Sequence, residues 1–208
     1  MQDYHIPAAS VCIEYEIKRS QFIANIGHTA SKADALGFIK TISAQYADAR
    51  HNCWAYIAGH PIESIERASS DAGEPSGTAG KPMLNVLQHK HVGEITVVVS
   101  RYFGGIKLGA GGLVRAYSTS VQMAMDALTL KQVIAMIPAK ISFPFALENQ
   151  IRHLLEMHNV EICHVSYAEQ AKMTLLVPLN IKNTLKSIIS DKTHGKVNII
   201  YSMSLPSD

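Results

Sequence analysis

The sequence predicts an α+β protein made of two domains in tandem, and three observations lead there. Strand-like and helix-like periods alternate along the first half. The pattern restarts near Pro138, and from there six segments follow in the order strand, helix, strand, strand, helix, strand. That order is the βαββαβ order of a ferredoxin-like domain, so the expected domains are 1–135 and 136–208. A chain of 208 residues that is 47% hydrophobic can fill two modest cores.

The first domain opens with VCIEYEIKRSQFIANIGHT, which predicts two strands around a polar turn at Lys18, Arg19 and Ser20. SKADALGFIKTISAQYADA predicts a helix capped by Ser31, with Leu36, Ile39 and Ile42 at helical spacing. NCWAYIAG is a short apolar strand. From Pro61 to Gly80 the chain turns polar and rich in turn residues, which predicts one long loop, and loops of that length tend to be functional or disordered. KPMLNVLQHK predicts a short helix with Pro82 in its first turn, where a missing N–H costs nothing. EITVVVSRYF is the strongest strand, β-branched and followed by glycines. LVRAYSTSVQMAMDAL, in a helix expected over 112–128, predicts a buried stripe of Leu113, Tyr117, Val121, Ala124 and Leu128, with Met123 and Met125 in or near the core.

In the second domain AKISFPFAL, VEICHVSYAEQ, AKMTLLVPLN and KVNIIYSMSL are the expected strands, and ENQIRHLLEMHN and IKNTLKSIISDKT the helices. Seven Lys or Arg stand against six Asp or Glu there, with no glycine-rich motif and no RNP-like aromatic pattern, so base recognition is not expected of its sheet. The chemistry is expected in the first domain.

Composition narrows the function classes. No segment reaches the roughly 18 uninterrupted apolar residues of a membrane helix, and MQDYHIPAAS lacks the apolar region of a secretion signal. Cys12, Cys53 and Cys163 lie far apart, form no CxxC, and suit a reducing compartment. A cytoplasmic protein without membrane partners is expected. The net charge is only +2, yet between Ala79 and Tyr117 the cations Lys81, Lys90, Arg101, Lys107 and Arg115 face one acid, Glu94. The positive charge is local.

It concentrates in RYFGGIKLGAGGLVRAY, residues 101–117, with five glycines and three cations. Glycines allow positive φ and close approach of another group. The helix beyond them starts with Arg115 and no acid, although the positive end of a helix dipole disfavours a cation. An anion held by Gly109, Gly111, Gly112, Lys107, Arg101 and Arg115 would relieve that conflict. The competing reading is a tight turn with solvated cations. GTAGKPML repeats the theme with Lys81, but Pro75 and Pro82 stand where a Walker A loop needs Gly and Ser or Thr.

Other candidates are weaker. In SSDAGEPSGTAG, Asp71 and Glu74 flank Gly73 as an acid and base or a cation site, and Gly77, Thr78 and Gly80 complete that loop. His51 and Cys53 suggest a nucleophile pair, but Cys is commonly a small buried hydrophobe. His89 and His91 form an HxH with no further ligands at useful spacing, so neither a metal nor a cofactor is expected.

SDAGEPSGTAGKPML, VGEITVVVSRYFGGIKLGAGGLVRAY and ARHNCWAYIAG together resemble the IMPACT family, in its bacterial two-domain branch. The resemblance implies that the first domain folds like domain 2 of ribosomal protein S5, as does domain IV of elongation factor G. It implies a second domain like the ferredoxin-like C-terminal domain of that factor. Both point to RNA or the ribosome as partner, with a protein partner as an alternative.

The expected function is therefore a non-catalytic RNA- or ribosome-binding protein that modulates translation. Lys81, Arg101, Lys107 and Arg115 would contact phosphates and Tyr102 or Phe103 would stack on a base. One alternative is a phosphate- or nucleotide-binding enzyme related in fold to GHMP-class small-molecule kinases, whose glycine-rich helix start LGAGGLVRAYSTS imitates. The other is a protein-interaction regulator of a translation-stress pathway, the role of eukaryotic members.

Overall fold

In the computed structural model, which describes residues 2–202, the chain divides into a unit spanning Tyr4–Val133 and a second unit that begins at Ile134 and includes Asp3. In the first unit β1 (Tyr4–Pro7), β2 (Val11–Ile17) and β3 (Ser20–His28) precede α1 (Lys32–Gln45). There follow β4 (His51–Ile57), β5 (Arg67–Ser70), α2 (Gly80–Lys90), β6 (Ile95–Tyr102), α3 (Ala110–Asp126) and β7 (Leu130–Val133). Five strands form one antiparallel sheet in the order β2-β3-β6-β4-β5, and β1 pairs with β7 separately.

The turn from β2 to β3 is made by Lys18 and Arg19, both with positive φ, the conformation whose twist suits a two-residue hairpin. Ser31 caps α1 in a full capping box with Asp34. The buried stripe of α1 is Ala35, Ile39 and Ile42, while Leu36 is exposed, so the expected stripe is off by one position at its start. Ala35 shares the i, i+4, i+7 row that meets the sheet, and Leu36 lies beside it.

The sheet is covered on both faces. Phe22, Ile26, Cys53, Val97 and Val99 meet Met83, Leu87, Leu113, Tyr117 and Val121 from α2 and α3, whereas Val98 and Tyr56 meet α1. That sandwich explains why β6, ITVVVSRY, is buried at every position but its last rather than at alternate ones. All five members of the expected α3 stripe are buried, as is Met125, but Met123 is exposed and lies outside the core. The helix also starts and ends two residues earlier than 112–128.

The segment from Pro61 to Gly80 is not a loop throughout. β5 pairs with β4 at the sheet edge, a short half-exposed strand without a periodic signal in its sequence. β1 and β7 were equally invisible, being four residues each.

The second unit contains β8 (Met136–Phe143), α4 (Glu148–Met157), β9 (Glu161–Tyr167), β10 (Ala171–Pro178), α5 (Lys182–Lys192) and β11 (Asn198–Tyr201). Its antiparallel sheet has the order β11-β8-β10-β9, the ferredoxin-like arrangement that βαββαβ predicts. Ile151, Leu155, Leu185 and Ile189 from the helices cover one face. The Met203–Leu205 end of the expected last strand lies outside the described residues. The protein is thus α+β in two units, and among the described residues no helix is long and apolar enough to cross a membrane.

Candidate functional site

The C-terminal end of the central strand β6 presents Arg101 on the side of α3, since it shares parity with Val97 and Val99. The chain then crosses to α3 through residues 103–109. Gly104 is required where it stands: a Cβ there would lie 2.0 Å from the Arg19 carbonyl of the β2–β3 turn. Gly105 and Gly109 have positive φ, and Gly109 serves as N-cap of α3 without a side-chain cap. Gly111 is different, because its φ is ordinary and a Cβ would meet nothing within 4 Å. A helix glycine with no steric reason costs about 0.5–1 kcal/mol relative to Ala, and Gly111 is exposed on the helix start.

Beside the start of α3 lies a cavity of about 410 Å³ lined by Arg50, His51, Gly73, Glu74, Arg101, Phe103, Lys107 and Gly109, with Ala110 and Leu113 of α3 but neither Gly111 nor Gly112. Arg101, Lys107 and Gly109 of the glycine-rich stretch are brought together there, with Gly73 and Glu74 of the separate loop candidate beside them. α3 opens on it with no acidic residue in its first turn, and the first helical N–H to find a partner is that of Leu113, on Gly109 O at 2.9 Å. The cavity therefore faces the positive end of a 17-residue helix.

Behind the cavity lies a buried polar chain. Arg101 Nη1 donates to Glu74 Oε1 at 2.5 Å, Tyr117 Oη donates to the same oxygen at 2.9 Å, and the Cys53 thiol approaches Tyr117 Oη at 3.3 Å. Burial, with the Cys53 and Glu74 neighbours adding to it, pushes the Tyr117 phenol well up, so it stays protonated and can donate. Burial likewise pushes the Cys53 thiol up to about 12. Expected labelling with a maleimide at neutral pH follows: exposed Cys12 and Cys163 react, and Cys53 reacts only after denaturant is added. Cys53 modification as fast as the other two would contradict this environment.

Several expected roles need correction. Arg101 is not a free phosphate ligand, for it is 7% exposed and its charge is held by Glu74. Glu74 for the same reason is not available as an acid or base. Asp71 is spent on structure: its carboxylate accepts N–H bonds from Gly77, Ala79 and Gly80 at 2.8 to 2.9 Å, capping α2 from outside the helix. Thr78 Oγ1 donates to Pro75 O at 2.6 Å, and Gly80 packs against the Ser70 backbone, so the loop is a tightly built cap. Partial burial tends to raise the Asp71 pKa, but the three N–H donors outweigh it and hold the carboxyl below its ordinary value.

Its stabilisation is therefore present above the unfolded carboxylate pKa and is lost as pH falls through the lower folded value. Asp71→Ala is expected to cost about 2 kcal/mol at neutral pH, and the difference from wild type should shrink in acid. Urea unfolding at neutral and acidic pH checks both signs.

Tyr102 points to the other side from Arg101 and donates to Asp48 at 2.7 Å, so Phe103, not Tyr102, is the aromatic of the cavity. Lys81 and Gly77 line a separate groove of about 450 Å³ with Val114 and Ser118. Arg115 is exposed on α3 but does not line the cavity, and Gly112 abuts the Leu108 Cβ position. His51 Nδ1 donates to Ala72 O at 2.9 Å, so His51 and Cys53 do not pair. His89 Nδ1 donates to Asn85 O at 2.7 Å and His91 is the left-handed C-cap, so the HxH terminates α2.

Sequence reasoning missed Arg50. Its N–H donates to Arg101 O at 3.1 Å, which fixes it beside the end of β6. The guanidinium carbons of Arg50 and Arg101 lie 6.0 and 5.8 Å from the Phe103 ring centroid. Its only signal was membership in ARHNCWAYIAG. With the Arg101–Glu74 pair neutral, Arg50 and Lys107 leave the cavity positive. Arg101 adds a buried Nε with no hydrogen-bond partner among the described residues. Such an orphan donor is unusual in a folded interior, and a ligand oxygen would satisfy it.

Comparison with known proteins places this geometry. Residues 18–125 match the Impact N-terminal domain, and residues 141–196 match a domain of unknown function (DUF1949). An IMPACT family member of Haemophilus influenzae is 39% identical over 96% of this chain and 97% of its own. YigZ of Escherichia coli, also an IMPACT family member, is 36% identical over 96% and 98%. YvyE of Bacillus subtilis, likewise of that family, is 35% identical over 89% and 85%. A crystal structure described as that of a hypothetical protein is 35% identical, covers all of both chains, and superposes with a TM-score of 0.69. With matches at this level along both units, the chain belongs to the IMPACT family.

Proposed function

We propose that this protein is a non-catalytic RNA- or ribosome-binding protein that modulates translation, and that the cavity at the start of α3 holds an RNA phosphate. The observation that carries the reading is the convergence of Arg50, Lys107 and the open N-terminus of α3 on one cavity whose Arg101 Nε lacks a partner. A phosphate would accept from the N–H groups of the first turn and from both exposed cations. Phe103, 42% exposed between the two guanidiniums, offers a face for a base.

The absence of chemistry in this reading is supported by the occupation of Asp71 and Glu74. A phosphotransfer site needs a carboxylate free to take a proton or hold a metal. Here one caps a helix and the other balances Arg101.

The test is co-sedimentation with ribosomes, and binding of labelled RNA, over about 50 to 200 mM salt. Binding that weakens steeply with salt is expected. A salt-insensitive association would instead indicate a protein partner, and the absence of any association would overturn the reading.

A further inference from the structure

The second unit leaves one face of its sheet uncovered. Alternation fixes which side chains stand there, and the strand registers align them in two rows. One row runs Asn198, Ser142, Lys172, Ser166, and the next runs Ile200, Lys140, Thr174, His164. All eight are exposed except the half-buried Thr174, and they line a shallow concavity of about 410 Å³. The two rows contain two lysines, a histidine, three hydroxyls and an amide, and no carboxylate. Glu161 stands opposite Leu176 in the next row of the same face, beside the Thr174 and His164 row, and Glu169 lies beyond β9, so no acid falls within the two rows. Neither lysine is in an ion pair among the described residues. Within these two rows the lysines have no carboxylate beside them, and Glu161 stands at the margin of the face.

We infer that the uncovered sheet face is a second nucleic-acid surface, which takes the phosphodiester backbone of single-stranded RNA along its two rows. Lys140 stands opposite Thr174, and Lys172 stands opposite Ser142 on the neighbouring strand, so the lysines are diagonal neighbours. Diagonal positions lie about 7–8 Å apart at the backbone, and flexible lysine stems bring two ammonium groups to different phosphates of one strand. Ser142, Ser166, Thr174 and Asn198 flank them with donors and acceptors that suit ribose 2′-hydroxyls. A single strand fits better than a duplex because the face is open and shallow, with no element protruding from it to enter a groove. Without an aromatic platform the binding is to backbone rather than base, so it should tolerate sequence. The inference deepens the RNA-binding reading above and rests on it for the class of ligand.

The experiment is a salt titration of labelled single-stranded RNA binding to the full chain. Lys140→Ala with Lys172→Ala should reduce the magnitude of the log–log slope by about 1.4, at about 0.7 for each phosphate left without its lysine. Ser166→Asp, a surface change on an edge strand, should weaken binding by adding the missing negative charge. DNA of the same sequence should bind wild type more weakly. An unchanged slope in the double lysine variant, with a reduced slope in Arg50→Ala with Lys107→Ala, overturns the sheet surface and leaves the cavity reading standing. The reverse pattern supports the sheet surface and removes the cavity. Equal binding of DNA overturns recognition of ribose, and wild type that binds no RNA overturns both.

Discussion

Glu74→Ala is expected to lower stability by about 3–5 kcal/mol, the largest effect of any single substitution considered, because it leaves the Arg101 guanidinium buried without its counter-charge. The side chains of Arg101 and Glu74 are only 8% and 3% exposed, so water cannot replace the lost carboxylate. Tyr117 loses its acceptor in the same step, which leaves a second buried donor unfilled. Arg101 is also packed 5.5 Å from the Phe22 ring centroid and 5.8 Å from that of Phe103, so it cannot swing out without opening the core edge. Glu74→Gln keeps an acceptor of the same shape and should cost less than Ala. Equilibrium urea denaturation measures both variants. A loss of under about 1 kcal/mol for the Ala variant would contradict a buried, paired Arg101.

The largest effect on binding is expected from Arg50→Ala combined with Lys107→Ala. Both side chains are exposed and line the cavity, so the fold should survive their removal. The salt slope for single-stranded RNA should fall by about 1.4 in magnitude, with affinity reduced across sequences rather than at one base. Gly111→Val tests the exposed side of the helix start. Its Cβ would enter open volume at an ordinary helical φ, and Val is a better helix former than Gly. Stability should therefore hold or rise slightly, and RNA binding should change less than in the Arg50 and Lys107 double variant, because Gly111 does not line the cavity. Arg115→Ala should matter much less, because Arg115 does not line the cavity. A loss for Arg115→Ala as large as for Lys107→Ala would contradict this placement.

The strong elements of the fold were legible because they carry redundant signals. Ser31 with Asp34 marked the start of α1, the β-branched run to Tyr102 marked β6, and the six-element restart after Pro138 specified a sheet order that β11-β8-β10-β9 matches. What was illegible depends on partners distant in sequence. β5 exists because β4 offers it an edge, and β1 because β7 returns beside it. Alternation along β6 puts Arg101 on the core side with Val97 and Val99. It could not reveal that Glu74, 27 residues earlier, would come up beneath it and turn a candidate phosphate ligand into a buried ion pair.

The candidate site shows the same division. Glycine spacing and missing acids pointed to the start of α3, which is local information. Arg50 entered only through a backbone hydrogen bond to Arg101 O across the sheet, and Lys81 left because α2 opens into another groove. Asp71 looked available in sequence because a cap that serves N–H groups six to nine residues ahead has no short-range signature.

The most direct measurement is an amide NMR titration of the full chain, first with inorganic phosphate and then with single-stranded RNA. The central claim is that a phosphate sits at the start of α3. It predicts that the N–H signals of Ala110, Gly111 and Gly112 and the side-chain Nε–H of Arg101 move together, with saturation weakened by Arg50→Ala and Lys107→Ala. Signals at the start of α3 that stay fixed while RNA binding perturbs other parts of the protein would contradict it.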